Sequence, residues 1–164
     1  MSGFIAKVPV LPAPSAIADD VMGDGWYPAL KISAFLAAMR LGESVSAARA
    51  REALLGGFVT AAVALTGWRD AQQLAGVASL AASTIADQAG RMLDGEPLAV
   101  ILWRRAVYAS AAAALAETHG DVSATESGRD RREVRATSAD DLRREATVAL
   151  RDLMGRGRAK VKLV

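Results

Sequence analysis

Between Ala47 and Trp68, the residues Ala47, Ala50, Leu54, Phe58, Ala61, Leu65 and Trp68 recur at intervals of three and four. That spacing draws one continuous stripe along an α-helix. A stripe of this length must be buried against another element, and its alanines demand that the partner come close. Ser44 is placed to cap the helix, which is expected to run to about Thr66. Gly56 and Gly57 stand inside it, and each costs roughly 1 kcal/mol relative to alanine in a helix interior. Either two backbones approach there or the helix kinks.

The same economy of side-chain volume runs through the whole chain. Apolar residues make up 52% of its 164 residues but aromatics only 5%, so the apolar content is mostly alanine with leucine and valine. Alanine is the best helix former and fills little space, which points to an all-α fold, a small bundle of about four main helices packed closely. The length suits one core plus arms. With no cysteine, disulfides, thiolate nucleophiles and sulfur-ligated metals are excluded, and a reducing place of synthesis fits. A net charge of +2 is too small to mark a nucleic-acid binder. Three prolines interrupt the first residues where a signal peptide needs a continuous apolar run. Leu54 to Gly67 is too short for a bilayer, and Pro97 to Leu115 carries Arg104 and Arg105 near its middle. A soluble chain with no membrane partner is expected.

Along the chain, residues 1–25 read as an extended arm, because Pro9, Pro12 and Pro14 fix φ and remove donors, with a disordered terminus as the equal alternative. Trp26, Tyr27 and Pro28 form a strap ahead of a helix from about Leu30 to Leu41 that places Ile32, Phe35, Leu36 and Met39 on one face and stops at Gly42. After Trp68 a short helical continuation and a long irregular crossover are expected. Asp94 and Gly95 signal a turn, and Pro97 suits the first position of the next helix. That helix is apolar on one side through Leu98, Ile101, Leu102, Ala109, Ala112 and Ala116, and on the other through Trp103 and Val107, so it should be central. The run from Asp121 to Ser138 reads as a solvated loop. A last helix is expected from near Ser138, with Asp141 in capping-box spacing, packing through Leu142, Ala146, Ala149, Leu150 and Leu153. Gly155 should end it. The expected division is an arm at 1–25, a helical body at 26–154 and a basic tail at 155–164.

Chemistry is sparse in this pattern. The single histidine, His119, precedes Gly120 at a helix end, where capping is the commoner role. Asp19, Asp20 and Asp24 lack the oxygen-ligand spacing of a calcium loop and read as a solubilising patch. Neither a phosphate loop nor a nucleophile elbow is present, so no catalytic residue, metal or cofactor is assigned. The tail is the most function-like segment. Arg156, Arg158, Lys160 and Lys162 alternate with Gly157, Ala159, Val161 and Leu163, so an extended tail would be basic on one side and apolar on the other. A loose basic tail remains the alternative.

Three blocks in order carry a resemblance: Trp26 to Leu54, Asp94 to Val107 ("DGEPLAVILWRRAV"), and the helix from Asp140 ("DDLRREATVAL") with its glycine-punctuated basic tail. In these blocks the chain resembles the head completion proteins of tailed bacteriophages, the gene product L family. It departs from that pattern in a longer alanine-rich crossover between Trp68 and Asp94 and in its proline-rich arm. The resemblance implies a structural virion protein of the neck, not an enzyme. It implies a dodecameric ring of copies of itself beneath the portal protein, a tail-side terminator or neck protein below, and packaged DNA passing through with at most weak non-specific contact. It also implies that the termini make the partner contacts, through Trp26, Tyr27, Arg156, Arg158, Lys160, Val161, Lys162, Leu163 and Val164. The alternative is a nucleic-acid-binding accessory protein using Arg131, Arg132, Arg143, Arg144 and the tail. Against it, Asp130, Glu133, Asp140, Asp141, Glu145 and Asp152 interleave with those arginines.

Overall fold

A computed structural model describes residues 18–41, 45–85, 91–118 and 126–156, with side chains in the last stretch described from Ser138 onward. Among these residues the chain is mostly helical, with five α-helices and two small two-stranded sheets. The centre is α4 (Leu98–Thr118), which packs against α2 (Ala47–Ala64) and α5 (Glu126–Leu153). Trp103, Ala106, Val107 and Ala111 on α4 are fully buried, and Leu102, Ala109 and Ala112 nearly so. A helix apolar all round requires such cover on several sides. By length and composition α4 could also cross a membrane, but most of that stretch lies inside the protein.

The stripe on α2 faces α4 as its spacing requires. Ala50, Leu54, Ala61 and Leu65 are fully buried, and Phe58 and Trp68 pack partly against the core. Ala47, at the start, is exposed. The cap is Ser46, whose Oγ accepts from the Arg49 N–H at 3.4 Å, and not Ser44, which lies outside the described residues. At Leu65 the chain turns directly into α3 (Thr66–Leu74), the short continuation expected from sequence. Of the two glycines only Gly57 is buried. A Cβ there would stand 2.6 Å from the Val107 carbonyl oxygen and 3.0 Å from the Ala111 nitrogen, whereas one at Gly56 would meet nothing within 4 Å. Backbone approach, rather than a kink, is what Gly57 serves.

Ahead of α2, strands β1 (Asp20–Val21) and β2 (Leu30–Lys31) pair antiparallel, and α1 (Ile32–Ala38) follows at once. Pairing takes Leu30 and Lys31 out of the expected helix. Asp19 opens α1: its carbonyl accepts from Ile32 N–H at 2.7 Å, and its carboxylate accepts from Ser33 N–H at 2.8 Å and Ser33 Oγ at 2.7 Å. The helix stops at Arg40 (φ +51), two residues before Gly42. Leu41 N–H reaches the Leu36 carbonyl and Arg40 N–H the Ala37 carbonyl, the paired bonds of a Schellman end. Val21, fully buried, ties this region to the core.

The crossover after α3 is anchored where sequence suggested irregularity. Leu80 begins a 3-10 turn (Leu80–Ala82), is fully buried, and donates its N–H to the Trp26 carbonyl at 2.9 Å. Strands β3 (Met92–Leu93) and β4 (Glu96–Pro97) then form a hairpin. Its turn residues Asp94 (φ +51) and Gly95 (φ +73) both take the left-handed conformation that a two-residue hairpin loop demands. Pro97 therefore lies in β4, paired with Met92, and α4 starts one residue later.

The largest departure is α5. It begins at Glu126, inside the segment expected to be a loop, so Ser138 is an interior residue and not a cap. Arginine, glutamate and alanine are strong helix formers, and a helix already nucleated by packing extends at little cost through such residues. Ala139, Ala146, Ala149, Leu150 and Leu153 are buried, with Leu142 packed partly. Gly155 (φ +69) ends the helix as expected, with Gly155 N–H on the Asp152 carbonyl and Arg156 N–H on the Arg151 carbonyl.

Candidate assembly surfaces

The strap is held by one carboxylate. Asp24 Oδ1 accepts from Trp26 N–H at 3.1 Å and Tyr27 N–H at 2.9 Å, an Asx-type turn over Gly25 (φ +88). Its other oxygen meets Arg69 Nη1 on α3 at 2.6 Å. Partial burial would raise the Asp24 pKa, but the bonds from Tyr27, Arg69 and Trp26 outweigh it and hold the carboxyl below its ordinary 3.8. The Arg69 guanidinium lies 5.3 Å from the Trp26 ring and 5.1 Å from the Tyr27 ring.

Tyr27 stacks on Trp103 of α4 with ring centroids 4.0 Å apart, and Phe58 of α2 meets both rings edge-on. Trp26 adds edge contacts to Tyr27 and to Trp68 of α3, and its indole N–H reaches the Val77 carbonyl. Strap, α2, α3 and α4 thus share one aromatic cluster. Burial pushes the Tyr27 phenol up to about 12. Trp26 and Tyr27 retain only 5% and 2% of their surface. The pair expected to touch partners is therefore buried within the chain's own body, where its rings stack and meet edge-on.

Two of the acidic residues read as a solubilising patch prove to be structural, Asp19 bonding the first turn of α1 and Asp24 building the strap, while Asp20 forms only an exposed pair with Lys31. The arginines are paired as well. Arg104 grips Glu96 with two bonds of 2.6 and 2.7 Å, fixing the hairpin to α4. Arg105 binds Glu145, Arg143 binds Glu117 and Asp140, and Arg144 binds Asp141. These ion pairs leave the described face of α5 with little free positive field. Among the described residues no group of three acidic or histidine side chains could hold a metal. Open grooves beside α4, of about 330 and 360 Å³, are lined chiefly by alanines, leucines and threonines with a few charged residues at their edges.

What sequence reading missed is the outer side of α2. Leu55, Val59 and Val63 form a row at intervals of four and are 37%, 59% and 69% exposed. The signal was available: no charged residue occurs from Ala53 to Trp68, although a surface helix normally carries charge on its outer face. The small inner faces of α2 and α4 pack on each other within one chain, at Gly57 and Ala111. In the tail, Arg156 is exposed; Arg158, Lys160, Val161, Lys162, Leu163 and Val164 lie outside the described residues, as does His119.

Among the described residues, the helices are built largely on small side chains, many charged groups go into caps and ion pairs, and an apolar row on α2 is left exposed. The chain belongs to the phage head completion protein (GPL) family, whose model matches residues 21–164. It is also similar to the head completion/stabilization protein of Escherichia phage P2, at 28% identity over 155 residues, covering 94% of this chain and 89% of that protein. No solved structure matches the chain significantly.

Proposed function

We propose that this head completion protein acts as a ring adaptor beneath the portal, closing the packaged head and presenting the surface to which the tail attaches. The observation that carries the reading is the family match across the whole helical body and both the strap and the tail. The ion pairs of Arg143 and Arg144 with Glu117, Asp140 and Asp141 reduce the free positive charge that the described part of α5 could offer DNA. Copies of the chain, the portal and a tail-side neck protein are the partners, and the neck of the virion is the location.

With Trp26 and Tyr27 inside the body, the portal contact falls to the segment 155–164. Gly155 ends α5, and the alternation of basic and apolar residues beyond it fits an extended peptide that pairs with an acidic rim while Val161 and Leu163 enter shallow pockets. Truncation after Met154 keeps Leu153, the last fully buried residue of α5, so the circular dichroism of the body should be unchanged. Portal pull-down should be lost or greatly weakened. A folded truncation that binds portal as the intact chain does would remove the tail from the contact. Failure of the intact chain to form a ring complex with portal, judged by mass and negative-stain imaging, would overturn the adaptor reading itself.

A further inference from the structure

We propose that the uncharged outer row of α2 is the docking site of the chain's own N-terminal segment, with residues Phe4–Leu11 laid along Leu55, Val59 and Val63. This inference is independent of the ring reading. It starts from where the described chain begins. Ala18 and Asp19 lead into β1, and the Asp20 carbonyl there accepts from Arg51 Nη1 of α2 at 3.0 Å. Arg51 is one turn before Leu55 in the same row of every fourth residue, the row that continues through Val59 and Val63. The N-terminal segment therefore joins the body at the head of the apolar row.

Chemistry and length agree with that placement. Residues 1–17 carry a single charged side chain, Lys7, and hold Phe4, Ile5, Val8, Val10 and Leu11 close together. Such a segment gains by covering apolar surface, and a row without charge over four helical turns costs no desolvation of ions to cover. Pro9, Pro12 and Pro14 restrict the segment before it docks, which lowers the entropy lost on ordering. Ten residues separate Ala18 from Val8 and can span up to about 33 Å when extended. From Arg51 to Val59 along the helix is only about 12 Å. The segment reaches the row without strain.

The chain has no cysteine, so pairs introduced into the full-length protein report proximity cleanly. Val8→Cys with Val59→Cys should oxidise to a disulfide at monomer mass, while Val8→Cys with Arg144→Cys, exposed on the side of α5 away from α2, should not. A cross-link found only at dimer mass would assign the row to a second copy and overturn the proposal. A yield no higher than the control would overturn it as well. Trypsin gives a second readout through Lys7, the only tryptic site in residues 1–17. Val59→Glu, at a position already exposed, should accelerate cleavage there on the order of tenfold by raising the undocked population. Equal rates in the two proteins would refute docking even if every variant folds normally.

Discussion

Gly57 and Gly56 are adjacent in sequence and opposite in environment, which makes them a matched test of how α2 meets α4. Replacing either by alanine removes backbone freedom from the unfolded chain and improves helix propensity by roughly 0.8–1 kcal/mol. At Gly56 the added methyl meets nothing within 4 Å, so Gly56→Ala should keep the whole gain. At Gly57 the methyl would lie 2.6 Å from the Val107 carbonyl oxygen, 3.0 Å from the Ala111 nitrogen and 3.2 Å from the Ala111 Cβ. Two of those atoms belong to a backbone held inside a helix, so relief requires α2 and α4 to separate. Overpacking of this kind costs about 1–3 kcal/mol, and because no flexible side chain can yield, the upper part of that range applies.

Subtracting the propensity gain leaves Gly57→Ala destabilised by about 1–2 kcal/mol. The two variants should thus differ by roughly 2–3 kcal/mol, or about 4–12 °C in Tm for a chain of this size. Thermal unfolding by circular dichroism, with urea titration to give the free energies, measures this directly. A Gly57→Ala protein as stable as the Gly56→Ala protein would show that the helices do not meet through their backbones at this point.

Asp24→Asn should lower Tm at neutral pH, and the deficit should shrink in acid. Because the folded carboxyl sits below its ordinary 3.8, its stabilisation is complete above about pH 4 and is lost as pH falls through the folded value; an equal deficit at pH 7 and pH 3 would rule out the ionised group as the source. Arg40→Gly should raise stability by a few tenths to about 1 kcal/mol, since Arg40 holds the left-handed position of a Schellman end (φ +51), and a fall in Tm would show that the arginine side chain contributes more than its backbone costs.

Elements fixed by periodic burial were legible from residues alone. The α2 stripe, the many-sided burial of α4, the Asp94–Gly95 turn and the Gly155 stop each rest on a local signal that tertiary packing reinforces. Signals that tertiary contacts override were not. Ser44 and Ser46 are equally good caps by type, and nothing in the local sequence distinguishes Ser46, which caps α2. Gly42 is a better stop than Arg40 by propensity, yet the paired bonds to Leu36 and Ala37 close the helix earlier. Trp26 and Tyr27 resemble a contact surface because an aromatic pair beside a proline does not reveal which way it faces. Asp24 and Arg69, 45 residues apart, turn it inward.

The two most apolar helices show why such patterns need a neighbour before they can be read. Both α2 and α4 lack a charged outer face over most of their length, and on sequence each could be central. Only α4 is covered by long helices on two sides; α2 has α4 on its inner face and Leu55, Val59 and Val63 on the other. A helix face that carries no charge for four turns can be covered without desolvating ions. Arg51 holds the start of the described chain at the head of that row, which is the ground for the docking proposed for the N-terminal segment. Residues 18–25 of the expected arm already belong to the body through β1, Val21 and Asp24; if the preceding segment docks as proposed, the 155–164 tail is left as the extended segment available to the portal.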